Sequence, residues 1–498
     1  MLSSSGGEIR TTAAHGRIRM SGMMLSHDEM MTRFYGRDRT ANGSFLTGVL
    51  TTGIYCLPSC TARKPRPENV RFFGTEDEAR TAGLRPCRRC RPDHFYQEYD
   101  PDLHLMATLV ADVRRRPAAF ADAAALAAAS GIGATKLNAL FRRHHHTTPA
   151  AFLARERVRA ACRALAEGDA GVSEASYAAG FESLSAFHEN FRRITALTPG
   201  EYRRLGSSSE FTLTLPDDFR AEYALRVIGR DPESVVERVE GSTAYKAVRL
   251  AGRAAVLEMA IADGRVRCRV EPPAAAMHQA HEVALRLLGL TVDPAPFERR
   301  LAERADLLPL IEGRRGLRVP QTADAFEGIA WAIVGQQVNL PFAYALRRDL
   351  ARLCGEEAGR GLRAHPTAEA VAALDYGDLT ALRYSRRKAE YLVDTARLAA
   401  TGELPLEGFR DAPATEVERR LGAVRGFGPW SVHYFMIRAC GFADCVPVGD
   451  TGLSTGLMKF FALDHRPGPD EVRARMEPFA PFRSLATFHL WMSLGDPA

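Results

Sequence analysis

The residues EFTLTL, Glu210 to Leu215, put an apolar side chain at every second position, and RVRCRV, Arg265 to Val270, does the same. A repeat of two places those side chains on one face of an extended chain, so both stretches predict half-buried strands. Residues 101–205 follow a different period, with apolar positions three and four apart in Ala-rich runs such as FADAAALAAAS. That spacing predicts helices with one buried stripe. The helical period returns at Val319 and continues almost to the end, broken by Gly and Pro. Short segments of neither period fill residues 25–98. The pattern predicts a multidomain chain: a small α/β domain at 25–98, an all-α domain at 100–205, an α+β domain at 207–318 after the linker GSSSE, and an all-α domain at 319–498. Residues 1–24, rich in Ser, Gly and Met with scattered Arg and no apolar core, predict a disordered leader rather than a signal peptide.

Inside the first helical stretch the chain repeats itself. FRRHHHTTP begins at Phe141 and FRRITALTP at Phe191, both of the form F-R-R-x4-T-P. Leu137 and Phe141, and again Phe187 and Phe191, are four residues apart and share one helix face. Each of these helices follows another helix and a turn, ALAAASGIGATKL and ASYAAGFESLSAF. The plain alternative is a helical bundle with a chance echo, but repeat, turns and apolar phase agree on two helix-turn-helix units. The arrangement resembles the AraC-type DNA-binding domain over about 100 residues. That resemblance implies that each second helix enters a major groove, with Lys136, Arg142, Ser183, Ser185, His188 and Arg192 as outward-facing contacts. The HHH run at 144–146 reads as a solvated helix end favoured by the dipole.

Charge supports a polyanionic partner. The chain has 498 residues and a formal net charge of +6, and residues 1–205 carry +8 of it against −2 in the remainder. A solvated Arg-rich surface is the competing reading. Hydrophobic content of 46% and charged content of 25% are ordinary for a globular protein. No apolar run approaches the ~18 residues that span a bilayer, so no membrane partner is expected. The nine cysteines cluster in front and scatter behind, which fits a reducing cytoplasm better than a disulfide framework. Cys162, Cys268 and Cys354 read as core thiols.

The front cysteines carry the first chemistry. Cys56-x3-Cys60 and Cys87-x2-Cys90 have the spacing of a tetrahedral four-thiolate zinc site. Spacing alone favours a purely structural metal. The surrounding TTGIYCLPSCTAR and GLRPCRRCRPD closely resemble the N-terminal domain of Ada-type DNA repair proteins over about residues 30–95. That resemblance implies one zinc ion, a nucleophilic Cys56 that takes a methyl group from a methylated DNA phosphate, and Thr52, Arg63 and Arg89 holding the phosphotriester. A second methyl acceptor in a PCHR context, frequent in such proteins, has no counterpart here.

The second chemistry lies in LGAVRGFGPWSVHYFMIRACGFADCVPVGDTGL, Leu421 to Leu453. Gly426 and Gly428 form a Gly-x-Gly turn before Pro429, leaving backbone N–H groups for a phosphate. Asp450 follows in VPVGD, where it also suits a helix N-cap. With FEGIAWAIVGQQVNLPFA and PFRSLATFHLW, these stretches resemble the helix-hairpin-helix DNA glycosylases, specifically the AlkA type that excises 3-methyladenine, over roughly residues 207–496. The resemblance implies Asp450 as catalytic carboxylate, Trp430, Tyr434 and Gln336 near base pocket and hairpin, and Gln337 as the wedge filling the gap left by an extruded base. Trp430 stands where strand-cutting relatives carry lysine, which implies a monofunctional enzyme. Only Cys440 and Cys445 lie near the C-terminus, so no iron–sulfur cluster is expected. FAPF, with Phe479 and Phe482, replaces a segment that is often Trp-rich.

Together these readings predict a small α/β zinc domain, a double helix-turn-helix domain, an α+β domain and a helix-hairpin-helix glycosylase domain. The expected function is an alkylation-damage response: methyl trap, transcription activator and alkylbase glycosylase in one cytoplasmic, bacterial, nucleoid-associated chain. The expected partners are alkylated and promoter double-stranded DNA and RNA polymerase. The alternatives are a transcription factor whose rear half only grips DNA, and a glycosylase tethered by an inert zinc module.

Overall fold

The computed structural model describes residues 18–20, 23–96, 100–168, 170–273 and 276–495, so most of the expected leader lies outside the described residues. Two compact units divide the chain, residues 1–108 and 109–498. No single helix among the described residues is long and apolar enough to cross a membrane.

In the first unit, β1 (Ile18–Met20) and β2 (Met23–Leu25) form an antiparallel pair. They lead into α1 (His27–Tyr35), which Ser26 and Glu29 start with a capping box. The central sheet has the order β5-β3-β4-β6, made of β3 (Leu46–Val49), β4 (Ile54–Cys56), β5 (Val70–Phe73) and β6 (Arg85–Pro86). β6 pairs parallel with β4, and α2 (Glu76–Thr81) supplies the crossover. Gly48 in β3 is required by packing: a Cβ there would lie 2.5 Å from the Phe73 ring and 2.6 Å from Leu84.

The second unit begins with the repeated helices. α3 (Ala123–Ser130) and α4 (Ala134–His145) form the first pair, the long α5 (Pro149–Ala166) joins them to the second, and α6 (Val172–Ala178) and α7 (Leu184–Thr195) complete it. Phe141, Phe152, Phe187 and Phe191 are fully buried between them. This bundle has no core boundary with the sheet that follows. Leu197, Tyr202 and Leu205 share one apolar cluster with Phe211, Leu213, Met259 and Val283. The Thr214 N–H donates to the Ala196 carbonyl at 2.9 Å.

That sheet is five-stranded and antiparallel in the order β7-β11-β10-β9-β8. Its strands are β7 (Glu210–Thr214), β8 (Glu237–Glu240), β9 (Thr243–Leu250), β10 (Arg253–Ala262) and β11 (Arg265–Glu271). The alternation seen in sequence is kept: Phe211, Leu213, Val266, Cys268 and Val270 are buried and their neighbours exposed. α8 (Ala221–Ile228) and α9 (Met277–Leu287) pack on it.

The helical remainder surrounds one large core. Its helices include α10 (Ala325–Val334), α11 (Leu340–Cys354), α12 (Arg386–Ala400), α13 (Ala414–Gly422), α14 (Pro429–Phe435), α15 (Thr451–Phe460) and α16 (Arg483–Ser493). A small hairpin, β12 (Glu356–Gly359) and β13 (Leu362–Ala364), interrupts the helices and packs on β9 and β10. Four charges, three of them buried and Arg347 partly so, bind this part to the sheet. Lys246 Nζ lies 2.6 Å from Glu237 and 2.5 Å from Glu327, and Arg347 pairs with the same two carboxylates. Burial pushes Glu327 up, but Lys246 and Arg347 outweigh it and hold the carboxyl down at about 2.

Candidate functional site

Two separate constellations can carry chemistry. In the first unit, Cys56 ends β4, Cys60 follows a turn closed by its N–H on the Leu57 carbonyl, and Cys87 and Cys90 lie just past β6. The parallel β4–β6 pairing therefore brings the two halves of the motif together. All four sulfurs lie within 4.8 Å of one another, and Cys60 and Cys87 Sγ are 4.0 Å apart. Zinc–sulfur bonds of ~2.3 Å in a tetrahedron separate sulfurs by about 3.8 Å, so the residues fit zinc. Cys56, Cys60 and Cys87 are buried and Cys90 is half-buried. The Leu57 N–H donates to Cys90 Sγ at 3.4 Å.

Thr52, Arg63 and Arg89 are all exposed. Thr52 sits in the β3–β4 turn with its hydroxyl 3.4 Å from the Val49 carbonyl, and Arg89 reaches the Thr61 carbonyl at 3.5 Å. Sequence reasoning passed over Lys64. Its ammonium lies 3.6 Å from the centre of the Phe34 ring. Burial holds its pKa down, opposed by the nearby Cys60 and Cys56 sulfurs.

The second constellation surrounds Asp450, the N-cap of α15. Its Oδ1 accepts the Leu453 N–H at 2.7 Å and the Trp491 indole N–H at 2.9 Å. Its Oδ2 accepts the Trp430 indole N–H at 2.7 Å. Both oxygens are thus fixed in direction by rigid rings on α14 and α16. Tyr434, one turn after Trp430, completes an aromatic set: its ring centre is 5.4 Å from Trp430 and 5.8 Å from Trp491. α14 widens into a π-turn over Met436–Cys440 before the chain returns to Asp450. Trp491 was missed in the sequence because HLW reads as one more apolar helix segment. The phenylalanines of FAPF do other work: Phe479 is fully buried, and Phe482 packs on Phe297.

The hairpin precedes α14. Gly426 has φ +96°, and a Cβ there would fall 2.4 Å from the Tyr391 ring. Gln336 Nε2 donates to the Gly426 carbonyl at 2.9 Å, tying the α10–α11 junction to the hairpin. The Gly428 N–H, expected to face a phosphate, donates instead to Ser431 Oγ at 3.0 Å. Gln337 is exposed and held at φ +52°, a left-handed conformation that costs a non-glycine residue about 1 kcal/mol or more.

The helix-turn-helix candidates separate into three groups. Lys136 is exposed on the first turn of α4. Ser183 caps α7, accepting the Ala186 N–H at 3.2 Å, and Ser185, His188 and Arg192 line a cleft of about 1550 Å³. Arg142 is half-buried, its guanidinium 5.8 Å from the Phe482 ring centre. The histidine run is not solvated: His144 and His145 are 1% and 8% exposed, because α5 and α13 cover the end of α4. Of the expected core thiols, Cys268 is buried while Cys162 and Cys354 are half-buried.

Comparison with known proteins assigns these parts. Residues 29–93 match the metal binding domain of Ada, residues 126–205 a helix-turn-helix domain, and residues 330–481 the HhH-GPD superfamily of base excision DNA repair proteins. A protein of Mycobacterium tuberculosis, named a probable bifunctional transcriptional activator/DNA repair enzyme AlkA, is 28% identical over 93% of this chain and 95% of its own length. The Escherichia coli bifunctional transcriptional activator/DNA repair enzyme Ada is 31% identical over 39% of this chain and 53% of its own length. The structure of a 3-methyladenine DNA-glycosylase from Archaeoglobus fulgidus shares the fold over 57% of this chain and 97% of its own, with a TM-score of 0.52 at 22% identity.

Proposed function

From a chain that joins an Ada-type metal-binding domain, a helix-turn-helix domain and an HhH-GPD base-excision domain, we infer a bifunctional activator and repair protein of the alkylation response. In the front unit, the Cys56 thiolate attacks the methyl carbon of a DNA methylphosphotriester. The carbon–oxygen bond breaks, the phosphate leaves with its negative charge restored, and a thioether remains on Cys56. Cys56, Cys60, Cys87 and Cys90 would hold one zinc ion, which when bound would keep their sulfurs deprotonated. Thr52, Arg63 and Arg89 hold the triester, which is neutral and approaches an anionic sulfur cluster more easily than an ordinary phosphate does. Each transfer removes one negative charge from the surface that faces DNA. Phosphates are then repelled less and affinity rises. Lys136, Arg142, Ser183, Ser185, His188 and Arg192 convert the gain into promoter binding, and RNA polymerase is the further partner.

In the rear half the reaction is that of a monofunctional glycosylase of the 3-methyladenine II type. An N-alkylated purine already carries positive charge and leaves neutral, so no acid is needed to protonate it. Asp450 stabilises the sugar cation and directs water. The faces of Trp430 and Tyr434 stack on the extruded base, a contact worth ~0.5–2 kcal/mol for a cation. Gln337 fills the vacated position, Gln336 steadies the hairpin, and the backbone at Gly426 approaches a phosphate.

The observation that carries this reading is that one chain holds both a four-sulfur cluster and a carboxylate braced by two indoles. Its test is one reaction of the full chain with methylated duplex. The protein should gain the mass of a methyl group on Cys56 and release methylated purine. Cys56→Ala should lose only the first, and Asp450→Asn should lower only the second, by roughly 100-fold or more. A chain that does neither refutes the reading.

A further inference from the structure

The histidine run and the helices expected to read DNA meet the glycosylase half directly. His144 Nδ1 is 2.7 Å from the Thr415 hydroxyl on α13. His146 Nδ1 accepts the Asp444 N–H at 3.1 Å, and its ring packs edge-on against Phe442 at 5.3 Å. Arg159 on α5 reaches Asp411 Oδ1 at 2.6 Å, and Arg114 reaches the Asp411 carbonyl at 2.7 Å. Arg142 lies over Phe482. One continuous seam thus joins α4 and α5 to the segments on either side of α13 and α14.

The seam has a consequence for α7. Ser185, His188 and Arg192, three of its candidate base contacts, line the 1550 Å³ cleft together with Glu407, Asp411, Phe442 and Phe482 of the rear half. A helix that reads bases needs the whole duplex against it, with a phosphate strand on each side of the ~12 Å major groove. Water reaches these side chains, but a duplex laid along α7 would need the space that Phe442 and Phe482 of the rear half border, and the Phe482 ring already lies beside Arg142.

We propose that the glycosylase half masks the operator-reading face of the helix-turn-helix domain, so that this conformation is a closed state in which base excision is available and promoter binding is not. This rests on the reading of α4 and α7 as the DNA-reading helices. Opening needs the seam around Asp411, Thr415 and His146 to part, while the core shared by α7's end and the sheet stays intact.

The test uses the full chain and an unmethylated 30-base-pair duplex, followed by fluorescence anisotropy. Asp411→Lys, with Thr415→Lys as a second variant, places a cation against Arg114 and Arg159 or beside His144 and should open the seam. Each is expected to bind the duplex about tenfold more tightly, and adding Arg192→Ala should erase the gain. Release of methylated purine should stay at the parent's level, which shows the rear half still folded. Equal affinity of the opened variants and the parent, with Arg192→Ala weakening both, overturns the proposal, because the face was then already free. If Arg192→Ala and Lys136→Ala change nothing in either background, the DNA-reading assignment falls, and the masking with it.

Discussion

Asp450 shows how little of a candidate active site is one residue. The carboxylate that the motif marks is aimed by two indoles, one 20 and the other 41 residues away in sequence. Removing an N–H while keeping the ring separates aiming from stacking. Trp491→Phe should slow purine release by about tenfold, the cost of a lost hydrogen bond to a charged acceptor, and leave substrate binding nearly unchanged. Single-turnover rates and duplex affinity measured together would check this. Legibility at this scale follows distance along the chain. Cys56 and Cys60, or Cys87 and Cys90, declare themselves by local spacing, and Asp450 by the glycines before it. Trp491 and Lys64 do not, since no local pattern says which distant group a ring or an ammonium will meet. The histidines at 144–146 misled partly for the same reason: Thr415 and Asp444, which meet His144 and His146, come more than 250 positions later.

At the scale of elements, the hairpin and the buried charge cluster carry the structure of the rear half. Gly426 combines a positive φ with a Tyr391 ring where a Cβ would stand. Gly426→Ala should destabilise the rear half by ~1–3 kcal/mol and weaken DNA binding, measured by denaturant unfolding and duplex titration. Glu327 on α10 is shared by Lys246 on β9 and Arg347 on α11. Glu327→Ala leaves two cations facing one carboxylate in the interior, and a loss of about 3–5 kcal/mol is expected. The strand alternation of β7 and β11 was readable because its period of two is strict. The ion cluster was not, because nothing near Glu237 or Lys246 in the sequence separates them from surface charges.

Across the molecule, desolvation keeps at least five histidines among the described residues uncharged. Burial pushes His145 and His489 down to about 3 and His146, His281 and His365 down to about 4. An unfolded histidine binds its proton near pH 6.5, so between there and about pH 4 the unfolded chain holds more protons than the folded one. Their contribution to stability is therefore complete above about pH 6.5 and declines as the pH falls through that window. Calorimetry should show a thermal midpoint that is level from about pH 7 to 8 and falls steadily toward pH 4.5. Chelation at neutral pH should instead affect the first unit, where Cys56, Cys60 and Cys87 form a small buried cluster. The apolar cluster that runs without a break from Leu197 and Leu205 into Leu213 and Met259 has a practical corollary. Anyone who cuts the gene after Leu205 to obtain a free-standing regulator will strip a greasy flank bare on both pieces. Such fragments should precipitate, whereas a cut made behind the metal domain should leave both products soluble.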